Sequence, residues 1–464
     1  MRFTGNYIAI DLIHDRMPRI VFKRKIYSEL VLWKEKSAGR SALLIEGARR
    51  VGKTTIAMEF AKNEYKSFLF IDFMNPLPGT EEVFKAYRHD IGLLTSNLAL
   101  LYGVTLHLKD SLIIFDEVQN YPKARELIKY LVKDGRYDYI ETGSLISIKN
   151  NVKDIQIPSE ERVIQMTPMD FEEWLWANGD MDTMPAIMEH FEKREPFGQT
   201  MHRVMTDKYR QYMQVGGMPG AVSTFLENHD MVEVENAKRD ILALYRRDMR
   251  KNSDPDATQL IFDNLPELLS SHCKVFSPGA LVRGSVTSDY SKAFDWLFES
   301  KILNRCVSNT DPNAAMNMGN RSIRFKEYLL DTGLLITLAL DVGTLDRTVV
   351  VEFAKSNLGI NEGMLLENMV AQELTTSGHK LFFSEFYDKE DDKHLYEVDF
   401  IMVNDGKIVP IEVKSSYSGR HASLDRFIEK YRKRLGQPFV IHQKDLRVGE
   451  DGIIYIPVYM ASLL

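Results

Sequence analysis

At 464 residues the chain is too long for one ordinary core, and several domains are expected. A hydrophobic fraction of 44% and a charged fraction of 27% exclude a disordered chain, and a net charge of -7 excludes a surface that is basic throughout. The two cysteines, Cys273 and Cys306, stand without metal-ligand spacing, which excludes a disulfide framework or a zinc site and fits a reducing cytosol.

The opening MRFTGNYIAIDLIHDRMPR mixes apolar and charged positions too closely for a signal peptide. No run of apolar residues is long enough to span a membrane, so the cytoplasm is the expected location and no membrane partner is expected. From about residue 41 to 145 the runs SALLIEG, SFLFIDF, SLIIFDE and YDYIETGS alternate with helical stretches, a pattern that predicts a parallel sheet covered by helices.

At the end of the first of these runs begins Gly47-Ala48-Arg49-Arg50-Val51-Gly52-Lys53-Thr54, followed by Thr55. This is G-x-x-x-x-G-K-T between a strand and a helix, the context that makes a P-loop for ATP. The glycines let the backbone wrap closely, so that its N–H groups and the helix N-terminus face phosphate oxygens. Lys53 is expected to reach the β- and γ-phosphates, and Thr54 to ligate Mg²⁺.

SLIIFDEVQ reads as a strand buried on both faces that ends in Asp116 and Glu117. Asp116 is expected in the Mg²⁺ shell, and Glu117 is the candidate base for the attacking water. At the end of the next run, Thr142 and Ser144 compete for the role of γ-phosphate sensor.

Residues 170 to 300 are mostly helical in pattern, and 277 to 308 suit either a helix-turn-helix with a wing or a plain helix pair. Mixed α and β pattern returns in the last part of the chain. There, EVDFIMVNDGKIVPIEVKSS (397–416) places acids inside two apolar runs. With Asp405-Gly406 as the tight turn, Asp399 falls opposite Glu412, about 5 Å away, and Glu397 opposite Lys414. Two facing carboxylates repel unless one is protonated or a cation lies between them, and a divalent ion on Asp399 and Glu412 is the expected answer. A salt pair between Lys414 and Glu397 is the alternative.

EGARRVGKTT, IIFDEVQ and ETGS, followed by RVIQMTPMDFEEWL, YMQVGGMPGAV, EYLLDTGLL and the hairpin, resemble the signatures of AAA-type ATPases with a C-terminal domain of unknown function, DUF4143. Arg50 departs from that family, whose members commonly carry glutamine there. The resemblance implies an ATPase core, a winged-helix-like middle and a C-terminal domain similar to PD-(D/E)xK nucleases. In such nucleases D-x(12)-E-x-K corresponds here to Asp399, Glu412 and Lys414, with a further acid from a preceding helix. NEGMLLENMVAQELTTSG resembles that helix, with Asn361 as its cap and Gly378 as its stop. Glu367 is its family-matched acid, and Glu373 is a second choice on spacing.

The fold class expected is therefore α/β multidomain: a P-loop ATPase domain over 1–200, a helical and winged-helix-like domain over 201–345, and a nuclease-like domain over 346–464. The expected activity is Mg²⁺-dependent ATP hydrolysis, coupled to a nuclease-like domain that uses Mg²⁺ or Mn²⁺ and acts on or is regulated by DNA or another nucleic acid. The alternative is a nucleotide-driven switch for a protein partner, with a catalytically silent C-terminal domain. Arg162 is a candidate for the arginine that completes the ATP site.

Overall fold

The computed structural model describes residues 20–37, 39–143, 159–271, 275–276, 287–309, 324–342, 362–387, 394–415 and 421–464. The chain packs as two compact units, one formed by residues up to 167 with 299–301, the other by 168–298 and 302–464.

In the first unit β1 (Ala42–Glu46), β2 (Ser67–Asp72), β3 (Ser111–Asp116), β4 (Asp138–Gly143) and β5 (Glu161–Gln165) form a sheet in the order β2-β3-β4-β1-β5. Every pairing is parallel. The first four strands are the expected runs. The fifth, which runs into RVIQMTPMDF, buries only Ile164 of its five residues, as suits an edge. The continuous apolar runs of β1 and β3 are buried along their whole length, as a sheet covered on both faces requires. Leu69, Ile71, Ile113, Phe115 and Tyr139 pack with Phe84 from helix Thr80–Tyr87 and with Leu94 and Leu98 from helix Ile91–Leu101. Each fully buried side chain of this kind contributes about 1.5–3 kcal/mol. Among the described residues, no helix is long and apolar enough to cross a membrane.

The second unit holds a mixed sheet built from β6 (Leu303–Ser308), β7 (Phe325–Leu329), β8 (Leu381–Tyr387), β9 (Leu395–Asn404), β10 (Lys407–Val413), β11 (Phe439–His442), β12 (Arg447–Val448) and β13 (Ile454–Pro457). Their order is β12-β13-β11-β10-β9-β8-β6-β7. The expected wing is thus a sheet strand: β6 pairs antiparallel with β7 and parallel with β8. The part of the proposed helix-turn-helix at 277–286 lies outside the described residues; helix Thr287–Glu299 follows it.

Two of the signature segments meet in this unit. Asp331, from EYLLDTGLL, caps helix Thr332–Asp341 through Leu334 N–H at 2.8 Å and also accepts the N–H of Gly217, from YMQVGGMPGAV, at 2.6 Å. A Cβ on Gly217 would stand 2.0 Å from the Met169 carbonyl oxygen, so only glycine allows this approach. The segments hold each other, which gives them a packing role.

Candidate functional site

The C-terminal ends of β1, β3 and β4 lie side by side in the parallel sheet, where ligands of open α/β sheets bind. From β1 the chain turns through Gly47–Gly52 into helix Lys53–Glu64. A Cβ on Gly47 would stand 2.2 Å from the Met166 carbonyl oxygen, so the loop passes closely only as glycine. Arg24 braces the loop, donating to the Val51 carbonyl at 3.0 Å and to the Thr167 carbonyl at 2.6 Å. Sequence reasoning missed this arginine, because nothing local marks it.

Lys53 is buried and its Nζ donates to the carbonyls of Gly47 and Ala48, each at 2.9 Å. Burial lowers its pKa, while Glu117 and Asp116 act the other way. Thr54 Oγ1 donates to Asp116 Oδ1 at 2.7 Å, and Thr142 Oγ1 donates to the same oxygen at 2.5 Å. The Thr142 hydroxyl in turn accepts the Glu117 N–H at 3.2 Å. Thr54, Asp116, Thr142 and Glu117 therefore form one hydrogen-bonded chain across the ends of β3 and β4. Ser144, the rival of Thr142, lies outside the described residues.

Glu117 sits at φ 53°, an uncommon backbone conformation for a residue with a side chain, and its carboxylate accepts a bond from Gln119 Nε2. Burial pushes the Asp116 carboxyl up to about 6, against the lowering effect of its two threonine donors. The oxygens of Thr54 and Asp116 suit a hard cation such as Mg²⁺. Arg50 and Arg162 are both exposed, the latter on edge strand β5; Arg49 and Thr55 are partly exposed on the loop and first helical turn. Glu141, neighbour of Thr142, is buried beside Glu161 and Arg125, and burial raises its carboxyl well above the usual range.

In the second unit, the hairpin has the expected register. Asp405 and Gly406 take φ 49° and 71°, and Lys407 faces Asn404, Ile408 faces Val403 and Ile411 faces Phe400. Both strands are internal to the sheet. Beyond that register, Asp399 Oδ2 accepts the Val413 N–H at 2.8 Å, and Lys414 Nζ donates to Glu412 Oε1 at 2.6 Å. Burial first and Asp399 second push the Glu412 carboxyl up to about 8.

The sequence reading missed Lys326 on β7, which is fully buried. Its Nζ lies 2.5 Å from Glu397, 3.4 Å from Glu367 and 4.0 Å from Asp399. Glu397 thus pairs with Lys326, not with Lys414 as the alternative reading had it. Glu367, on helix Glu362–Thr376, also accepts the Tyr328 hydroxyl. Glu373 lies instead beside Tyr209 and Tyr212, whose hydroxyl pKa values it helps raise after burial. The missed signal was a lysine inside the apolar run FKEYLL, the same anomaly that marked Asp399 and Glu412.

The divalent ion expected on Asp399 and Glu412 does not fit this donor set. Asp399 Oδ2 and Glu412 Oε1 already accept hydrogen bonds, and an ammonium stands among the acids. Among the described residues no group of three or more His, Cys, Asp or Glu side chains is disposed to hold a metal ion. The Mn²⁺ expectation at this site has no support in the geometry.

Residues 39–175 match the family model of an AAA domain, 206–346 that of a domain of unknown function (DUF8612) and 362–461 that of a domain of unknown function (DUF4143). No curated protein matches the chain. Among solved structures, the Walker-type ATPase Paby2304 of Pyrococcus abyssi is 14% identical, with 68% of this chain and 96% of that chain covered and a TM-score of 0.40. The Aeropyrum pernix Orc1 protein in complex with DNA is 13% identical, with 72% and 96% covered and a TM-score of 0.30. Superpositions this loose carry no argument about function.

Proposed function

Because the chain belongs to the AAA-type ATPases with a C-terminal DUF4143 domain, we propose that it binds ATP at residues 47–55 and hydrolyses it. The observation that supports this most is the convergence of the Thr54 and Thr142 hydroxyls on one oxygen of Asp116, next to Glu117. Lys53 exchanges the Gly47 and Ala48 carbonyls for the β- and γ-phosphate oxygens, which as anions are stronger acceptors. Thr54 and Asp116 would hold Mg²⁺, which supplies neutralising charge on the phosphates. Glu117 polarises the attacking water. A γ-phosphate that takes the proton of the Thr142 hydroxyl breaks its bond to Asp116 and re-aims the oxygen that accepts the Glu117 N–H, so the state of the nucleotide is passed to the backbone of the base. Lys53→Ala should weaken ATP binding, whereas Glu117→Gln should retain ATP and lose turnover; binding and hydrolysis assays on both decide it.

For the C-terminal domain the geometry supports the catalytically silent nuclease-like domain of the second reading, in which a nucleotide-driven switch in the cytoplasm acts on a protein partner. The observation behind it is the ammonium of Lys326 among Glu367, Glu397 and Asp399. The first reading assigns phosphodiester cleavage to Asp399, Glu412, Lys414 and Glu367, and needs a divalent ion where that ammonium stands. DNA cut in the presence of Mg²⁺ or Mn²⁺ would restore the first reading, and stimulation of ATP turnover by DNA would make nucleic acid the partner.

A further inference from the structure

Helix Glu362–Thr376 packs over the sheet of the second unit and brings Glu367 to the face that carries Lys326 and Tyr328 of β7. Glu397 and Asp399 reach the same ammonium from β9, and Glu412 of β10 stands beside Asp399. Four carboxylates from three elements therefore share a nearly closed space with two ammonium groups, Lys326 and Lys414. β7 is separated from β9 by β6 and β8 in the sheet order, so Lys326 reaches its acids from across the sheet, and its Nζ lies 4.9 Å from the centre of the Phe383 ring on β8.

A lysine with no exposed surface is costly to bury, by several kcal/mol as an order of magnitude, unless anions compensate it. Here they do. Burial alone would lower its pKa, yet Glu367, Glu397 and Asp399 together hold it well above the usual value, so it stays charged.

We infer that Lys326 is the resident cation of the C-terminal acidic site: its ammonium occupies the place a divalent ion would take, and it keeps such ions out. The inference deepens the switch reading of this domain. A divalent ion needs about six oxygens at roughly 2.0–2.6 Å. Each of the four carboxylates already accepts a hydrogen bond: Glu367 Oε1 from Tyr328 and Lys326, Glu397 Oε1 from Lys326, Asp399 Oδ2 from the Val413 N–H, and Glu412 Oε1 from Lys414. Glu412 Oε2 is buried with no hydrogen-bond partner. An ion bound there would have to displace these donors, and it would share Asp399 with an ammonium 4.0 Å from its Oδ1. Two positive charges that close repel strongly in a site of low polarity.

The test is an Mn²⁺ titration of the full chain without nucleotide, read by the electron paramagnetic resonance signal of free Mn²⁺ and by melting curves. Wild type should take up no Mn²⁺ that depends on Asp399, and its melting should ignore millimolar Mn²⁺. Lys326→Met keeps the length of the side chain and removes the charge. It should melt several degrees lower, recover part of that loss with Mn²⁺, and lose the recovery again when Asp399→Asn is added. Wild-type uptake abolished by Asp399→Asn overturns the inference, and so does a folded Lys326→Met chain that takes up no Mn²⁺. Should Lys326→Met fail to fold, the comparison of wild type with Asp399→Asn still decides. Asp399-dependent Mn²⁺ uptake without DNA cleavage would sink this inference and leave the switch reading; cleavage abolished by Asp399→Asn would sink both.

Discussion

Lys53 and Lys326 are both buried lysines beside acids, and they are held in opposite ways. Lys53 donates to two loop carbonyls, neutral acceptors at 2.9 Å, and burial lowers its pKa. Lys326 lies among three carboxylates, which raise its pKa against burial. An ammonium on neutral acceptors gains by moving to an anionic phosphate; one already surrounded by carboxylates has nothing better to move to. The same side chain is thus prepared for a ligand in one unit and stands in for a ligand in the other.

The largest expected effect separates the acids of the two sites. Glu117→Gln should lower ATP turnover by about 10²–10⁴-fold, the usual contribution of a positioned general base, with nucleotide binding retained. Glu412→Gln should leave turnover unchanged. Steady-state hydrolysis by the two variants breaks the comparison if they behave alike.

Next come the lysines themselves. Lys326→Met leaves buried carboxylates without their cation and should cost about 3–5 kcal/mol of stability. Lys53→Met abandons only carbonyl bonds and relieves a buried charge, so the nucleotide-free chain should lose little or even gain. Denaturant unfolding of both variants without nucleotide measures the contrast. Equal losses would mean that Lys53, too, is mainly structural.

A third test uses pH. The Asp116 carboxyl has its folded value raised from 3.8 to about 6. Above pH 6 it is ionised in both states and carries its burial penalty. As pH falls from about 6 toward 4, the native chain takes up a proton that the unfolded chain does not, so stability rises, by up to about 3 kcal/mol. Asp116→Asn should remove this gain. Without nucleotide, the difference in unfolding free energy between wild type and Asp116→Asn, followed between pH 7 and 4, reads it directly.

What the sequence made legible follows from the distances along the chain over which each feature is decided. The strand, loop and helix around Gly47–Thr54 are contiguous, and the hairpin register follows from a two-residue turn at Asp405-Gly406. Lys326 was not legible as a partner of Asp399, because β6 and β8 separate their strands and their proximity depends on how the whole sheet is ordered. The wing expected near 303–308 failed for the same reason: its strand finds β8, far along the chain, as a partner. Arg24 on the Val51 carbonyl and Asp331 on the Gly217 N–H are likewise tertiary contacts with no local signature.

The smallest expected effect bears on Lys414, which the nuclease resemblance makes essential and the geometry makes minor. Its ammonium is partly exposed and donates to Glu412 at 2.6 Å. The Glu412 carboxyl has its folded value raised from 4.5 to about 8, so near pH 7 it is mostly protonated and there is little ion pair to lose. Lys414→Ala should then cost no more than about 1 kcal/mol at pH 7. Removing Lys414 takes away a group that lowers the Glu412 value, which must rise further in the variant. Above pH 8 wild-type Glu412 ionises beside its ammonium, whereas the variant must keep its proton or bury an unpaired charge, so the deficit grows with pH. Melting curves of wild type and Lys414→Ala at pH 7 and pH 9 measure this. A large deficit at pH 7 that does not grow would mean that Glu412 is ionised throughout, and that the four carboxylates of the site call for more positive charge than Lys326 alone supplies.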